Sequence, residues 1–445
     1  MNRAIRSERL FLFSYFIGII AVGALILWLP ICWMGKGRLE LIDALFTATS
    51  AVCVTGLITV DTAQYTFLGQ LVILLLIQFG GLGIITFSTI YLVRPRLKLS
   101  MTRYRVIKGY SLDSVEGNPL AIIRQIVKVT LAIEAAGAIV LLFGFHPTVE
   151  RRLLFTSIFH AISAFCNAGF STFSTNLEGY IGNVTVNLAI MSLIVVGGIG
   201  FVVLQDIGET VVLGSKLRLS LHSRGVLLTT LCLIGIGAGL FLLFEWSNAY
   251  SPLRPLQKAL AALFQSITPR TAGFDTVSQA TLTTTSKTLT LLLMFIGGAS
   301  GSTAGGIKVN TFFIIMALSV RGADVRGEVT VFDRKIPSKS IEHAIILTLK
   351  ALMLLFVAIF LLTFTEKMFS NNSPQFIELA FETFSAFGTV GLSLGITPQL
   401  SVPGKLIIIA TMFMGRVGLL ALAIPSRRQI PVQVLDYPHE EVMAG

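Results

Sequence analysis

Ser385–Leu392 reads SAFGTVGL. It lies between two apolar stretches, Ile341–Phe364 and Leu406–Pro425, and places Gly, Thr and Val where a membrane helix is built from Leu and Ile. The figure returns three times, as SAVCVTGL at Ser50–Leu57, SAFCNAGF at Ser163–Phe170 and TPRTAGF at Thr268–Phe274. Every copy ends in Gly followed by Leu or Phe: Gly56-Leu57, Gly169-Phe170, Gly273-Phe274 and Gly391-Leu392. Their spacing along the chain is near even. A loop that recurs four times in this way marks one structural unit used four times.

The residues around the loops say what medium that unit occupies. Of 445 residues, 54% are hydrophobic and only 13% charged, against about 25% charged in a soluble domain. Mean hydropathy is +0.81. The expectation is an all-α polytopic membrane protein with no sizeable soluble core. The net charge of +11 raises the question of nucleic acid, and the placement of the charge answers it. With Met1–Leu10 on the inside, Arg3, Arg6, Arg9, the run Arg94 to Lys108, Lys216, Arg218, Arg224, the run Arg321 to Lys339, Arg427 and Arg428 all fall on that side. The outer segments hold far fewer Lys and Arg, which is the positive-inside pattern. The basic balance sets topology.

Each copy reads as an apolar span, a short half-span, the Gly loop and a second span. The first has Phe11–Leu29, Leu41–Cys53 and Leu68–Val93; the second Ile122–Phe145, Leu153–Phe165 and Val184–Leu204. The third has Val226–Phe244, Pro255–Ile267 and Thr288–Val320; the fourth Ile341–Phe364, Phe376–Phe387 and Leu406–Pro425. Crossing the hydrocarbon takes roughly 20 apolar residues, so the half-spans turn back. The pattern predicts eight crossings with four re-entrant loops, both termini on the inner side, and repeats at 1–108, 109–222, 223–339 and 340–445. The run Leu10–Pro30 is too long for a signal-peptide core and lacks a small-residue cleavage pattern, so it is expected to be a first membrane helix. Cys32, Cys53, Cys166 and Cys232 show no ligand or disulfide spacing.

The second crossings share a mark of their own: Gly80-Gly81-Leu82-Gly83, Gly197-Gly198-Ile199-Gly200, Gly297-Gly298-Ala299-Ser300 and Gly415-Arg416-Val417-Gly418. Small residues let membrane helices approach closely. In the third copy the run continues through Gly301, Ser302, Thr303, Ala304, Gly305 and Gly306, a poor helix at up to about 1 kcal/mol per Gly relative to Ala. Irregular backbone at membrane depth persists where protein buries it or where it lines a water-filled cavity. A broken helix with a loop beneath the third Gly loop is expected.

A cation crossing hydrocarbon needs its water shell replaced, and rings of backbone carbonyls do this for monovalent ions. Glycine suits positions where backbone approaches an ion or takes positive φ. Half-helices aimed inward by their C-terminal ends add negative partial charge. The constellation predicts an ion-binding filter at Val54, Thr55, Gly56, Leu57, Asn167, Ala168, Gly169, Phe170, Thr271, Ala272, Gly273, Phe274, Thr389, Val390, Gly391 and Leu392. There is no HExxH pair, so no enzyme is expected.

The four loops, the eight-crossing plan and the broken helix resemble the Trk/Ktr/HKT superfamily of potassium-translocating proteins, nearest to the Ktr-type membrane subunit. The resemblance covers residues 11–445, including the tail from Tyr437-Pro438 to Gly445. It implies a single-chain pore, a homodimer, sodium-stimulated potassium uptake in a bacterial plasma membrane, and control by a cytosolic nucleotide-binding ring subunit. It also implies a gate at Gly297–Gly306 with Arg416, a fixed charge below the filter. No covalently bound cofactor is implied; the pore holds potassium on filter carbonyls, sodium activates, and nucleotide sits on the partner alone. A proton- or sodium-coupled symporter of the same superfamily is the alternative.

This chain departs from the family at Leu419-Leu420, where Pro is expected, and keeps one Gly per loop where potassium channels have two. The third loop has Ile267 where the others have Ser, and Pro269 and Arg270 occur in it alone. Lys308 either snorkels or steadies the gate loop. Glu134 and Lys350 are read as members of bundle ion pairs, His160 as a packing histidine. Asn167 either bonds behind the filter or caps its half-helix. Glu40, Asp43, Asp61 and Glu178 on the outer side either draw cations in or, as is usual for such charges, are simply solvated.

Overall fold

A computed structural model describes residues 2–93, 119–146, 148–149, 152–212, 219–369 and 374–418. The basic stretch from Arg94 to Lys108, Lys216, Arg218, the Leu419-Leu420 pair, Arg427, Arg428 and the tail from Tyr437 to Gly445 lie outside the described residues.

The first unit comprises α1 (Asn2–Leu27), α2 (Leu41–Val52) and α3 (Phe67–Val93). The second has α4 (Pro119–Phe145), α5 (Leu153–Phe165), α6 (Val184–Ile199) and α7 (Phe201–Val212). The third has α8 (Leu221–Glu245), α9 (Pro255–Ile267), α10 (Thr284–Phe295) and α11 (Val309–Arg321). A small antiparallel hairpin, β1 (Val329–Val331) with β2 (Arg334–Ile336), leads to the fourth unit: α12 (Ser338–Phe369), α13 (Phe376–Gly388), α14 (Val402–Phe413) and a π-helical turn at Met414–Gly418.

Among the described residues three helices are long and apolar enough to cross a membrane, at Ile123–Phe145, Leu221–Glu245 and Ser338–Phe369; the bent pair α6–α7 makes a fourth. The apolar faces point outward. On α12, Phe356 and Phe360 are 72% and 70% exposed, while Glu134, Glu245, Glu366 and Glu382 are buried. That inversion is what lipid as solvent demands, since buried acids survive only where protein supplies their partners.

The half-helices form because their ends are satisfied locally. Pro255 opens α9 at a position whose N–H would be unbonded anyway. Glu378 reaches back to Gln375 N at 2.8 Å to cap α13. At 12 residues α2 is about 18 Å long at 1.5 Å per residue, short of the roughly 30 Å hydrocarbon core.

In the first, second and fourth units the half-helix packs between the helices on either side of it; in the third it packs on α8 and on α6 of the second unit. In the third and fourth units a buried acid ties the end of the first helix to the start of the second. Glu245 accepts from Thr283 N (2.8 Å) and Thr283 Oγ1 (2.7 Å), and Glu366 accepts from Ser401 N (3.1 Å) and Ser401 Oγ (2.7 Å). In the fourth unit α14 also packs on α2, and Lys405 Nζ lies 2.7 Å from Asp43 Oδ1 there. The last unit therefore closes on the first. Asp43, expected as a solvated outer charge, is half of a buried ion pair instead, because the partner that makes its burial tolerable comes from the far end of the chain.

Two of the expected crossings are broken. The one expected over Thr288–Val320 stops as a helix at Phe295 and resumes at Val309, as its glycines predict. The one expected over Val184–Leu204 bends by 98° between α6 and α7. Gly200 takes φ +91 at the bend, and a Cβ there would sit 3.0 Å from Ser300 O of the third unit. Contact with a neighbouring loop selects the bend.

Candidate functional site

The chain leaves each half-helix through a left-handed residue two before its glycine. Val54, Asn167, Thr271 and Thr389 have φ of 56°, 58°, 71° and 49°, and Gly56, Gly169, Gly273 and Gly391 follow at 94°, 70°, 74° and 98°. For β-branched Val54, Thr271 and Thr389 this conformation is strained. A strained backbone of order 1–3 kcal/mol per residue persists only where the surroundings over-determine it. Hydroxyls supply part of that determination. Gly56 N donates to Ser50 Oγ and Gly391 N to Ser385 Oγ, both at 3.0 Å, while Ser163 Oγ donates to Phe170 O at 2.8 Å. Thr268 Oγ1 donates to Phe274 O in the third loop. The serine missing at Ile267 is thus replaced in kind by its neighbour.

The four loops meet. A Cβ built on Gly56 would lie 3.2 Å from Gly169 Cα; on Gly169, 2.8 Å from Gly273 Cα; on Gly273, 3.1 Å from Gly391 Cα; on Gly391, 3.0 Å from Gly56 Cα. Each such Cβ would also strike the carbonyl oxygen before the next glycine, namely Ala168 O, Ala272 O, Val390 O and Thr55 O in turn. The glycines form a closed ring in which each contacts the carbonyl of the next loop. Any side chain on a member would displace an oxygen. Around this ring the four half-helices end, which places their partial negative ends together.

The glycines of the second crossings fit the half-helix ends. A Cβ at Gly80, Gly197 or Gly415 would overlap Val52 O, Phe165 O or Phe387 O respectively, the same position in each unit. In the third unit the broken crossing changes the pairing, and Gly297 meets Gly305 O.

One face of the ring looks toward the loop Gly297–Gly306. Its ends are stitched by Gly297 N to Ile307 O (2.8 Å) and Val309 N to Gly298 O (3.0 Å). Its middle is bonded to the second unit, through Ala299 N to Gly198 O (2.8 Å), Thr303 Oγ1 to Phe165 O (3.2 Å) and Phe201 N to Gly301 O (3.3 Å). Asn310 holds Ser300 by both main-chain N and Oγ, at 3.0 and 2.7 Å. Two cations engage its carbonyls: Lys308 Nζ donates to Ala304 O at 2.5 Å, and Arg416 Nη1, from the fourth unit's π-turn, donates to Thr303 O. Lys308 therefore steadies the loop. Arg416 is buried, and its Nε and Nη2 have no partner among the described residues. A π-turn re-aims side chains and is frequent at functional sites.

Comparison with known proteins gives this geometry a family. The model of the TrkH family, described as cation transport protein, matches residues 16–433. The "Ktr system potassium uptake protein B" of Bacillus subtilis is 39% identical over 97% of this chain and 95% of its own length. The "Potassium/sodium uptake protein NtpJ" of Enterococcus hirae is 36% identical over 96% of this chain and 95% of its own length. The chain belongs to the TrkH family. The crystal structure of the potassium transporter TrkH from Vibrio parahaemolyticus superposes with a TM-score of 0.76, covering 94% of this chain and 84% of that one at 19% identity, and shares the fold. As a TrkH-family cation transport protein it is a multi-pass membrane protein and not an enzyme.

Other residues of this TrkH-family chain fall into place. Among the described residues Glu134 and Lys350 form no ion pairs. Glu134 accepts from Gln78 Nε2 at 3.1 Å and from Cys166 Sγ at 3.9 Å, and Lys350 is exposed on α12. An amide and a thiol suffice for a carboxyl there. His160 is a satisfied packing residue, bonded to Thr156 O (2.8 Å) and Ser171 Oγ (2.9 Å) and stacked on Phe173. Asn167 does both things expected of it: Nδ2 reaches Ala164 O at 3.0 Å, capping α5, and Ile194 O of α6 at 3.2 Å. Arg270 turns away from the ring and donates to Thr230 Oγ1 of α8 at 3.2 Å. Asp61 caps a short turn through Ala63 N at 2.8 Å, and Glu40 is exposed. Sequence reasoning passed over Asn176, whose amide reaches two of the ring's glycine carbonyls. It lies in a polar loop, and no motif marks it.

Proposed function

We propose that this chain is the potassium-translocating membrane subunit of a sodium-stimulated uptake system, passing potassium through a pore made by its own four repeats. The observation that bears most weight is the closed ring of Gly56, Gly169, Gly273 and Gly391, each against the next loop's carbonyl. A dehydrated monovalent cation at the centre exchanges water for carbonyl oxygens of Val54 to Leu57 and their counterparts at Asn167 to Phe170, Thr271 to Phe274 and Thr389 to Leu392. The buried hydroxyls of Thr55, Thr271 and Thr389, unpartnered among the described residues, are further acceptors for it. The names of the relatives support potassium as the cargo.

In this reading the chain crosses the membrane eight times in repeats 1–108, 109–222, 223–339 and 340–445, with both termini cytoplasmic in a bacterial plasma membrane. Two copies form the dimer, and a cytosolic nucleotide-binding ring controls it. Gly297–Gly306 is the gate, because it lies across the inner face of the ring and is pinned by Lys308 and Arg416. The Arg416 charge opposes a cation leaving the filter until the loop moves and takes the guanidinium with it. Coupled symport is favoured less. Rocking needs matched breaks in inverted halves, whereas the two breaks here lie in adjacent units and are hydrogen-bonded to one another.

The test is potassium flux into liposomes holding the full chain, with sodium present and absent, beside Gly391→Ser. Selective flux in the parent and lost selectivity in the variant are expected. A well-inserted Gly391→Ser protein with unchanged flux and selectivity overturns the filter reading.

A further inference from the structure

The face of the ring opposite Gly297–Gly306 is fourfold in its glycines and not in what covers them. Asn176, in the loop between the second ring glycine and α6, has φ +52 and directs its side chain back over the seam between the second and third loops. Nδ2 lies 3.5 Å from Gly169 O and 3.4 Å from Gly273 O. Counted from the ring glycine, the matching positions of the other loops are Ala63, Ala280 and Pro398, none of which has an amide.

The amide is held by a braced segment. Asn176 N donates to Phe173 O at 3.2 Å, Phe173 stacks on His160, and Leu177 N donates to Asp275 O of the third loop at 3.1 Å. The backbone is fixed; the side-chain end is not. Both contacts from Nδ2 are long, since N–H···O bonds centre near 2.9–3.0 Å. Its Oδ1 is buried with no partner among the described residues. A buried amide oxygen without a donor carries a standing cost, which a cation would relieve.

We propose that Asn176 is the outermost ligand of the ion path. With the mouth empty, Nδ2 rests on Gly169 O and Gly273 O. When a dehydrating monovalent cation arrives, those two carbonyls turn to the ion, and rotation about the soft χ2 of asparagine brings Oδ1 round as a third oxygen. One amide thus serves as placeholder for the ion and then as its ligand. The proposal rests on the cation-path reading above and adds the residue that sets affinity at the mouth.

The test measures the half-saturating potassium concentration for flux through the full chain in liposomes, for Asn176→Gly and Asn176→Asp. Glycine keeps the left-handed backbone and removes the ligand. It should raise half-saturation about fivefold, the effect of losing one neutral polar contact, and by more than it alters maximal flux. Aspartate keeps the acceptor, adds charge and lacks the placeholder N–H, so half-saturation should fall below the parent's. If both variants stay within about twofold of the parent, or if only maximal flux changes, the proposal is overturned. Should Asn176→Gly fail to insert, Asn176→Asp decides alone, and parental half-saturation there overturns it. Gly391→Ser separates the two readings. Altered selectivity there with parental Asn176 variants removes only the mouth ligand, while an unaffected Gly391→Ser removes the ion path beneath it.

Discussion

Lys405→Met tests how the ring is closed. Three of the four seams between units are bridged by the chain itself; among the described residues the seam between the fourth and first is bridged by packing and by Lys405 with Asp43. Their N–O distance is 2.7 Å, and their side chains are 10% and 11% exposed, so water relieves little of either charge. Methionine preserves the apolar stem and strands Asp43 in the protein. Stranding half of a buried pair costs about 3–5 kcal/mol; the residual exposure places this one near the lower end. Asp43→Asn with Lys405→Met removes both charges and the desolvation each pays, and should return to within about 1 kcal/mol of the parent. The coupling from the full cycle is then about 2 kcal/mol or more. Denaturant unfolding of the detergent-solubilised chain reads the stability, and the potassium-to-sodium flux ratio reads the filter. Lys405→Met should lower both, because Gly391 and Gly56 face each other across that seam. A single variant as stable as the parent, or a double variant no better than the worse single, refutes the argument.

Arg416→Ala removes both the donor to Thr303 O and the charge beneath the ring, so partner-free potassium leak through liposomes should rise severalfold; parental leak would make Arg416 a structural residue only. Gly415→Ala places a Cβ against Phe387 O at the end of α13, and overpacking of this kind costs about 1–3 kcal/mol. Its thermal midpoint should fall and its flux selectivity with it, whereas an unchanged midpoint would show that the half-helix end has room to move.

The half-helices were legible because composition, length and the Gly loop all mark their ends, and the bounds of Leu153–Phe165 and Pro255–Ile267 coincide with α5 and α9. The break at Phe295 was legible too, since no helix accommodates that density of glycine. The bend at Gly200 was not. Gly197-Gly198-Ile199-Gly200 resembles Gly80-Gly81-Leu82-Gly83, which lies within one helix, and only the proximity of Ser300 separates the two cases. The Asp43–Lys405 pair was hidden for a related reason: a partner so far along the chain leaves no local pattern. Thr268 escaped because a hydroxyl shifted by one position does not align with the serines it replaces.

A pore assembled from identical subunits can alter its constriction only in sets, since one change in the gene appears at every position around the axis. Here the ring is drawn from one chain, and each quadrant is written separately. Asn176 covers a single seam, Arg416 stands in the place of one glycine, and two adjacent crossings are broken while α3 runs whole through its own glycines. The two sides of the ring are thereby free to diverge without disturbing the glycines between them. Such a protein can vary either side of the ring by single heritable steps, each touching one quadrant, and the ring itself is the element that every such step must leave alone.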